Sequence, residues 1–264
     1  MEALYKETFF LSAGEANAEK EMSLPILVSK IIDIATAHAN SLGIGNPSMT
    51  HLNAGWVLSR LTIEMESYPE VNCDYSISTW IESFNRHFSE RAFCISSPDG
   101  KVYGYARSIW MVMDTVNHSN IGLSHFSIPE ELILGENPPI QKQAKHTLIE
   151  ERVNEETPKG VLAATHPIYV YRFKYCDLDF YRHVNTVRYV SLLLNRFTLE
   201  EHDEYFVRRL ELSFLHEAKY GMEVQVLRSD NSADSLSSFL LRKVSDHTPV
   251  LYARIKREKR NPIS

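Results

Sequence analysis

The order of the sequence patterns restricts the fold most, because the same order occurs twice in the 264 residues. Period-two alternation predicts a strand, and apolar residues at helical spacing predict a helix. In the first half, a short apolar segment at 5–11 precedes a helix expected to begin after Ser23 and to stop at Gly43. In the second half, a strand at 166–175 precedes a helix at 184–201. Each helix is followed by four candidate strands, at 57–66, 74–84, 88–96 and 102–114 in the first half and at 206–217, 222–228, 236–244 and 250–256 in the second.

This repeated order favours one kind of packing. Each predicted helix is too apolar to lie on a surface, and the strands that follow it are long enough to cover it. The expected class is therefore α+β, with two antiparallel sheets that each wrap around a long central helix. That arrangement is a double, or tandem, hot-dog fold, and a ligand cleft is expected between its two units.

A polar stretch separates the two repeats. Residues 135–160 contain two adjacent prolines, many charges and little apolar periodicity, which is typical of a linker. The predicted organisation is an N-terminal hot-dog domain at 1–134, a linker at 135–160 and a C-terminal hot-dog domain at 161–264.

Composition and charge exclude several classes of function. The apolar fraction of 44% is typical of a folded globular protein, and the net charge of −6 argues against a nucleic-acid binder. Apolar runs are too short to span a bilayer, and the three cysteines lack metal or disulfide-framework spacing, so we expect a cytoplasmic protein. Residues 1–150 hold 10 basic against 18 acidic side chains, whereas residues 151–264 hold 18 against 16. An acidic partner should therefore meet the second half.

Chemistry-bearing side chains are densest at 175–185, between the second-half strand and its helix. Asp177, Asp179 and His183 share this loop, and amides at a helix start can stabilise an oxyanion. The residues alone leave three interpretations open. The cluster could bind a metal, or its carboxylates could only hold loop amides, with Asn185 as the helix N-cap. In the third, a carboxylate and His183 activate water beside a polarised carbonyl.

Residues 177–189, DLDFYRHVNTVRY, resemble the D-L-D-x-N-x-H-V-N-N-x-x-Y signature of acyl-acyl carrier protein thioesterases. Four further segments fall in that family's order and spacing, namely WVLSR at 56–60, STWIE at 78–82, SIWMVM at 108–113 and IPEE at 128–131. The resemblance covers most of the chain. It implies hydrolysis of fatty acyl-carrier thioesters in fatty acid biosynthesis. We expect no metal or organic cofactor, because a thioester carbonyl is already electrophilic. Because no plant-style transit extension precedes Met1, we expect a bacterial-type member.

The resemblance also implies roles for individual residues. The family's catalytic Asp and His correspond to Asp179 and His183, and its Glu falls on Glu217, which we expect at the end of a strand. The family's Asn is replaced by Tyr181. A phenol offers one rotatable hydroxyl, whereas an amide both donates and accepts in a fixed plane. Either Tyr181 substitutes as a donor, or Asn185 takes over, or the protein is slower or differently specific.

The remaining expectations concern substrate and partners. The resemblance implies that the first half binds the acyl chain, with Trp56 as a candidate substrate-binding residue and core filling as the alternative. Acyl carrier protein is acidic, so we expect it to dock on basic side chains around the loop, namely Arg172, Lys174, Arg182, Arg188, Arg208, Arg209 and Lys219. We expect no membrane insertion, and the sequence allows a homodimer without requiring one. Two alternative functions stay open, an acyl-CoA thioesterase of the same fold and a non-catalytic acyl-thioester-binding protein.

Overall fold

The structure is a computed structural model of the chain. It describes residues 2–49, 53–114, 116–117, 119–124, 126, 128–143, 145–146, 148–154 and 157–260. The chain divides into two compact units, Met1–Lys142 and Gln143–Ser264. The boundary falls inside the stretch predicted as a linker, where Ile140 on one side and Ile149 on the other are buried.

The first unit contains a strand, a long helix and four further strands. β1 (Leu4–Phe10) precedes α1 (Leu24–Ser41), and the one-turn helix α2 (Asn46–Met49) leads to β2 (Ala54–Met65), β3 (Asp74–Phe84), β4 (Ser89–Ser96) and β5 (Val102–Asp114). The strands pair antiparallel in the order β1-β3-β4-β5-β2. α1 packs against β1 and β3, and its Leu27, Ile31 and Ile34 are fully buried. The apolar periodicity of the helix thus supplies much of this unit's core.

The second unit repeats this order with two helices in place of one. The short strands β6 (Ile149–Glu150) and β7 (Leu162–Ala163) pair in parallel. Then follow β8 (Tyr169–Arg172), α3 (Thr186–Leu194), α4 (Leu199–Glu204), β9 (Tyr205–Phe214), β10 (Glu223–Asn231), β11 (Leu236–Lys243) and β12 (Pro249–Lys259). These last five strands pair antiparallel in the order β9-β12-β11-β10-β8. The buried Tyr189 of α3 packs edge-on against Phe173 and Phe214, with ring centroids 5.5 and 5.7 Å away.

The α+β class with antiparallel strands is confirmed, but the single helix expected at 184–201 is wrong. After Leu194 the amides of Arg196 and Phe197 bond to carbonyls three residues back, which tightens and ends α3. Thr198 and Glu201 then form a reciprocal capping box that begins α4. Apolar spacing continues through this junction, so periodicity alone does not reveal it.

The strand expected at 206–217 is also too long. β9 ends at Phe214, and Glu217 therefore lies in the connection to β10 rather than on a strand. Across the part of the chain that the structure describes, no helix combines the length and apolarity needed to cross a membrane.

Candidate active site

Two loops of the second unit carry the polar residues that the sequence singles out. The motif loop, residues 173–185, connects β8 to α3, and the glutamate loop, residues 215–222, connects β9 to β10. Main-chain hydrogen bonds join the loops. The amide of Val184 donates to the carbonyl of Ala218 over 2.8 Å, and the amide of Gly221 donates to the carbonyl of Phe173 over 2.9 Å. Residues distant in sequence therefore become neighbours.

Asp179 shapes the motif loop through its carboxylate. Its Oδ1 accepts hydrogen bonds from the amide of Tyr181 over 2.9 Å and from the amide of His183 over 3.0 Å. The amide of Asp179 donates to the carbonyl of His183 over 2.8 Å, and Arg182 occupies the left-handed region with a φ of 65°. A short acidic side chain favours such a turn because it reaches the amides that follow it. Asp179 thereby sets the backbone position of His183.

His183 and Glu217 meet where the two loops lie side by side. The Nε2 atom of His183 is 3.2 Å from Oε2 of Glu217, and an antiparallel bridge pairs His183 with Lys219. The two side chains are 27% and 36% exposed, so water and a substrate can reach the pair. A carboxylate at this distance orients an imidazole and stabilises the charge that the ring gains on taking up a proton.

The other polar residues of the motif loop have structural partners. Asp177 is buried, and its Oδ2 accepts from the hydroxyl of Tyr171 over 3.1 Å and from the amide of Lys174 over 2.7 Å. Asn185 is the N-cap of α3, because its Oδ1 accepts from the amide of Val187 over 3.0 Å. In the described ranges, no group of three or more His, Cys, Asp and Glu side chains is arranged to hold a metal ion.

Most amides at the start of α3 are already occupied. Those of residues 184, 185, 187 and 188 donate to acceptors of the protein over 2.8 to 3.0 Å. Within this fully described run, the amide of Thr186 is the one with no acceptor among the described residues. Among these amides, that of Thr186 is therefore the candidate donor to an oxyanion at this helix start.

Tyr181 contributes to the loop through both backbone and side chain. Its amide donates to the carboxylate of Asp179, and its ring centroid lies 4.1 Å from that of Phe180. Partial burial, and then the negative charge of Asp179, raise the pKa of the Tyr181 hydroxyl above its ordinary value. The phenol therefore remains protonated, and able to donate, throughout the neutral range.

Tyr189 belongs to the site although the sequence analysis assigns it no role. It is almost fully buried, and the backbone of Ala218, which adjoins Glu217, is one of the groups that act on the pKa of its hydroxyl. Burial, and then the charges of Asp179 and Glu217, raise the pKa of this hydroxyl well above its ordinary value. The signal was present, since Tyr189 is the last residue of the motif and lies about one helical turn beyond the N-cap.

Trp56 lies in the other unit, on β2. Its indole Nε1 donates to the carbonyl of Ile44 over 2.7 Å, and its ring stacks on Phe126 with centroids 6.2 Å apart. The ring packs against an apolar cluster that includes Ile81 and Leu132. These contacts fit both a core residue and a wall of an acyl-chain site.

The expected docking residues divide into two groups. Lys174, Arg182, Arg188 and Lys219 are exposed on or beside the two loops. The other three have acidic partners, Arg172 with Glu223 at 2.9 Å, Arg208 with Glu258 at 3.3 Å and Arg209 with Glu211 at 2.8 Å. The positive charge that faces outward at the site therefore comes from the first group.

Solved structures show the class of protein to which this fold belongs. An acyl-ACP thioesterase from Bacteroides thetaiotaomicron VPI-5482 matches with a TM-score of 0.84 and 25% identity, over 97% of this chain and 98% of that one. The 12:0-ACP thioesterase from Umbellularia californica matches with a TM-score of 0.76 and 18% identity, over 98% of this chain and 95% of that one, and shares the fold. The class is that of the α+β thioesterase folds.

The family follows from the sequence profiles. Residues 2–122 match the acyl-ACP thioesterase N-terminal domain, and residues 163–256 match the C-terminal domain. The chain therefore belongs to the acyl-ACP thioesterase family. A palmitoyl-acyl carrier protein thioesterase from Gossypium hirsutum is 23% identical over 88% of this chain and 56% of its own length. An oleoyl-acyl carrier protein thioesterase from Arabidopsis thaliana is 25% identical over 86% of this chain and 64% of its own length. The chain thus spans about three fifths of the curated relatives it matches.

Proposed function

We propose that this protein hydrolyses the thioester of a fatty acyl-acyl carrier protein and releases the free fatty acid. The observation that carries the proposal is the contact of 3.2 Å between His183 and Glu217, made across two loops of a chain that belongs to the acyl-ACP thioesterase family. Such a pair supplies what hydrolysis of a thioester requires, a group that takes a proton from water and returns it to the leaving sulfur.

In the proposed reaction, water attacks the thioester carbonyl while the Glu217–His183 pair takes up its proton. Glu217 orients the imidazole of His183 and stabilises its positive charge. Asp179 keeps His183 in place by accepting hydrogen bonds from the amides of Tyr181 and His183. The tetrahedral intermediate then collapses, the carbon–sulfur bond breaks, and the pair returns the proton to the thiolate. The Thr186 amide and the Tyr181 hydroxyl are the donors available to the oxyanion.

Several finer features belong to the same proposal. Each unit is taken to wrap its strands around its helix as one half of a tandem hot-dog fold, supported by the burial of α1 and of Tyr189 on α3. The first unit is taken to bind the acyl chain, supported by the apolar cluster around Trp56. The acidic carrier docks on the exposed basic residues of the second unit. The protein is taken to be a bacterial-type member, supported by its match over 98% of the Bacteroides chain, and a cytoplasmic one, supported by the spacing of its three cysteines.

The test is incubation of the purified protein with acyl carrier proteins that carry acyl chains of different lengths, followed by identification of the acids released. Asp179→Ala, His183→Ala and Glu217→Ala are assayed beside the parent protein. We expect release of one preferred range of chain lengths, and a loss of kcat by roughly 100-fold or more in the His183 and Glu217 variants.

Three results would contradict the proposal. Unchanged rates in all three variants would remove these residues from the chemistry. Equal turnover of acyl-CoA at raised salt would favour coenzyme A as the natural carrier. Tight calorimetric binding of an acyl thioester without any product would indicate a binding protein instead of an enzyme.

A further inference from the structure

The three most exposed large apolar side chains among the described residues all lie on the two loops of the candidate site. Tyr175 is 81% exposed, Phe180 78% and Tyr220 70%. We call these three residues the aromatic rim. Isolated apolar residues on a surface need no explanation, but three aromatic rings around one site indicate an interaction surface.

The rim is carried by a constrained part of the backbone. Tyr175 lies in the 3₁₀ turn Tyr175–Asp177, and Phe180 lies in the turn that Asp179 closes. Tyr220 follows Lys219, whose backbone pairs with His183. Since main-chain hydrogen bonds join the two loops, the rings are presented without a large cost in backbone ordering when a partner binds.

The charge around the rim is positive toward the outside. Lys174, Arg182, Arg188 and Lys219 are exposed there. The carboxylates of the same loops interact with groups of the protein itself. Asp177 accepts hydrogen bonds from a hydroxyl and an amide, Asp179 accepts from amides, and Glu217 contacts His183. A partner that fits this surface is therefore acidic and presents apolar side chains within a ring of negative charge.

We propose that the aromatic rim is the anchor on which the acidic carrier protein docks while its thioester reaches His183 and Glu217. This proposal rests on the proposed function. Tyrosine and phenylalanine are frequent hot-spot residues because they bury a large area at little conformational cost. The basic residues steer the carrier toward the site, and the rim holds it there. A lipid surface could also attract aromatic and basic groups, but a membrane resting on this rim would compete with the carrier for the same loops.

The test distinguishes binding of the carrier protein from catalysis of thioester hydrolysis. The variants Tyr175→Ser, Tyr220→Ser and the double variant are assayed with an acyl-carrier protein and with acyl-pantetheine of the same chain length, which has no protein part. Leu199→Ser is the matched control, because Leu199 is 60% exposed in the same unit but lies on α4. Phe180 is left intact because it adjoins Asp179.

We expect kcat/KM for the acyl-carrier protein to fall about tenfold in each single variant and further in the double variant, through KM. The value for acyl-pantetheine and the behaviour of the Leu199 control should not change. Equal losses on both substrates, or no loss on either, would overturn the proposal. So would variants that change only the association state in light scattering, or only the binding to anionic phospholipid vesicles. If the parent protein turns over neither substrate, the proposed function fails. Calorimetric titration of the carrier against the same variants then still tests whether the aromatic rim binds the carrier.

Discussion

Replacing Glu217 by Gln tests the His183–Glu217 pair without changing the shape of the side chain. At the observed separation of 3.2 Å, two unit charges attract by about 5 kcal/mol at an effective dielectric constant near 20. Both side chains are roughly one third exposed, so solvent screening reduces this attraction, and about 2–3 kcal/mol remains, within the range of hydrogen bonds to charged groups. This energy is available to the imidazolium form that arises in the transition state, so its loss should lower kcat by roughly 30- to 150-fold.

The assay is initial-rate release of fatty acid at saturating acyl-carrier protein, near neutral pH. Glu258→Gln is the matched control, because Glu258 also contacts a basic side chain, Arg208, at 3.3 Å but lies on β12. We expect the control to retain the parent kcat and both variants to retain the parent thermal stability within a few degrees. A Glu217→Gln variant within threefold of the parent, beside an inactive His183→Ala variant, would refute the idea that Glu217 acts through the imidazole.

Three further predictions concern stability. Asn185→Ala removes the N-cap that accepts from Val187 and should lower the free energy of unfolding by about 1 kcal/mol in urea titrations, whereas Asn185→Asp should not. The raised pKa of Tyr189 stabilises the folded state below the unfolded value of about 10, and this contribution is lost as pH rises further. Stability should therefore fall above about pH 10, less steeply in Tyr189→Phe; an unchanged slope would count against a buried phenol. Burial, and then the charge of Arg91, lower the pKa of His38 to about 4. The unfolded chain takes up this proton at about pH 6.5, so stability present above pH 6.5 should be lost progressively toward pH 4, and His38→Gln should flatten that part of the profile.

The strands and the first helix could be predicted because their patterns are local. The strand bounds 74–84 and 102–114 agree with the sequence prediction at both ends, since alternation ends where turn residues begin. The end of the helix predicted at 184–201 could not be predicted, because the apolar residues keep their helical spacing through the junction between α3 and α4. Hydrogen bonds create that junction, in the tightened turn at Phe197 and in the Thr198 capping box. Periodicity reports which face is buried and not where the chain changes direction.

The candidate site was predictable as a set of residues but not as a geometry. The resemblance puts Asp179, His183 and Glu217 together, yet the residues alone do not show that Asp179 accepts backbone amides while Glu217 contacts the imidazole. These arrangements depend on the pairing of the glutamate loop with the motif loop, a contact between residues more than 30 positions apart. Tyr189 was missed for the same reason, since the charged groups that act on its hydroxyl, Asp179 and Glu217, belong to these two loops.

Tyr181 replaces the family's Asn without disturbing the turn that Asp179 closes. The contact that Tyr181 makes with Asp179 uses its backbone amide, so the side chain can change without altering the turn. Asn185 is held at the helix start because its side-chain oxygen caps α3, which leaves only its side-chain NH2 group as a donor. The Tyr181 hydroxyl is protonated at neutral pH, since its pKa is raised, and it is a candidate side-chain donor beside the Thr186 amide. Tyr181→Phe should therefore lower kcat by roughly 10-fold or more, as expected for the loss of one oxyanion donor in a partly exposed site. Tyr181→Asn, which restores an amide donor, should keep most of the parent rate, whereas a Tyr181→Phe variant as active as the parent would show that the hydroxyl takes no part.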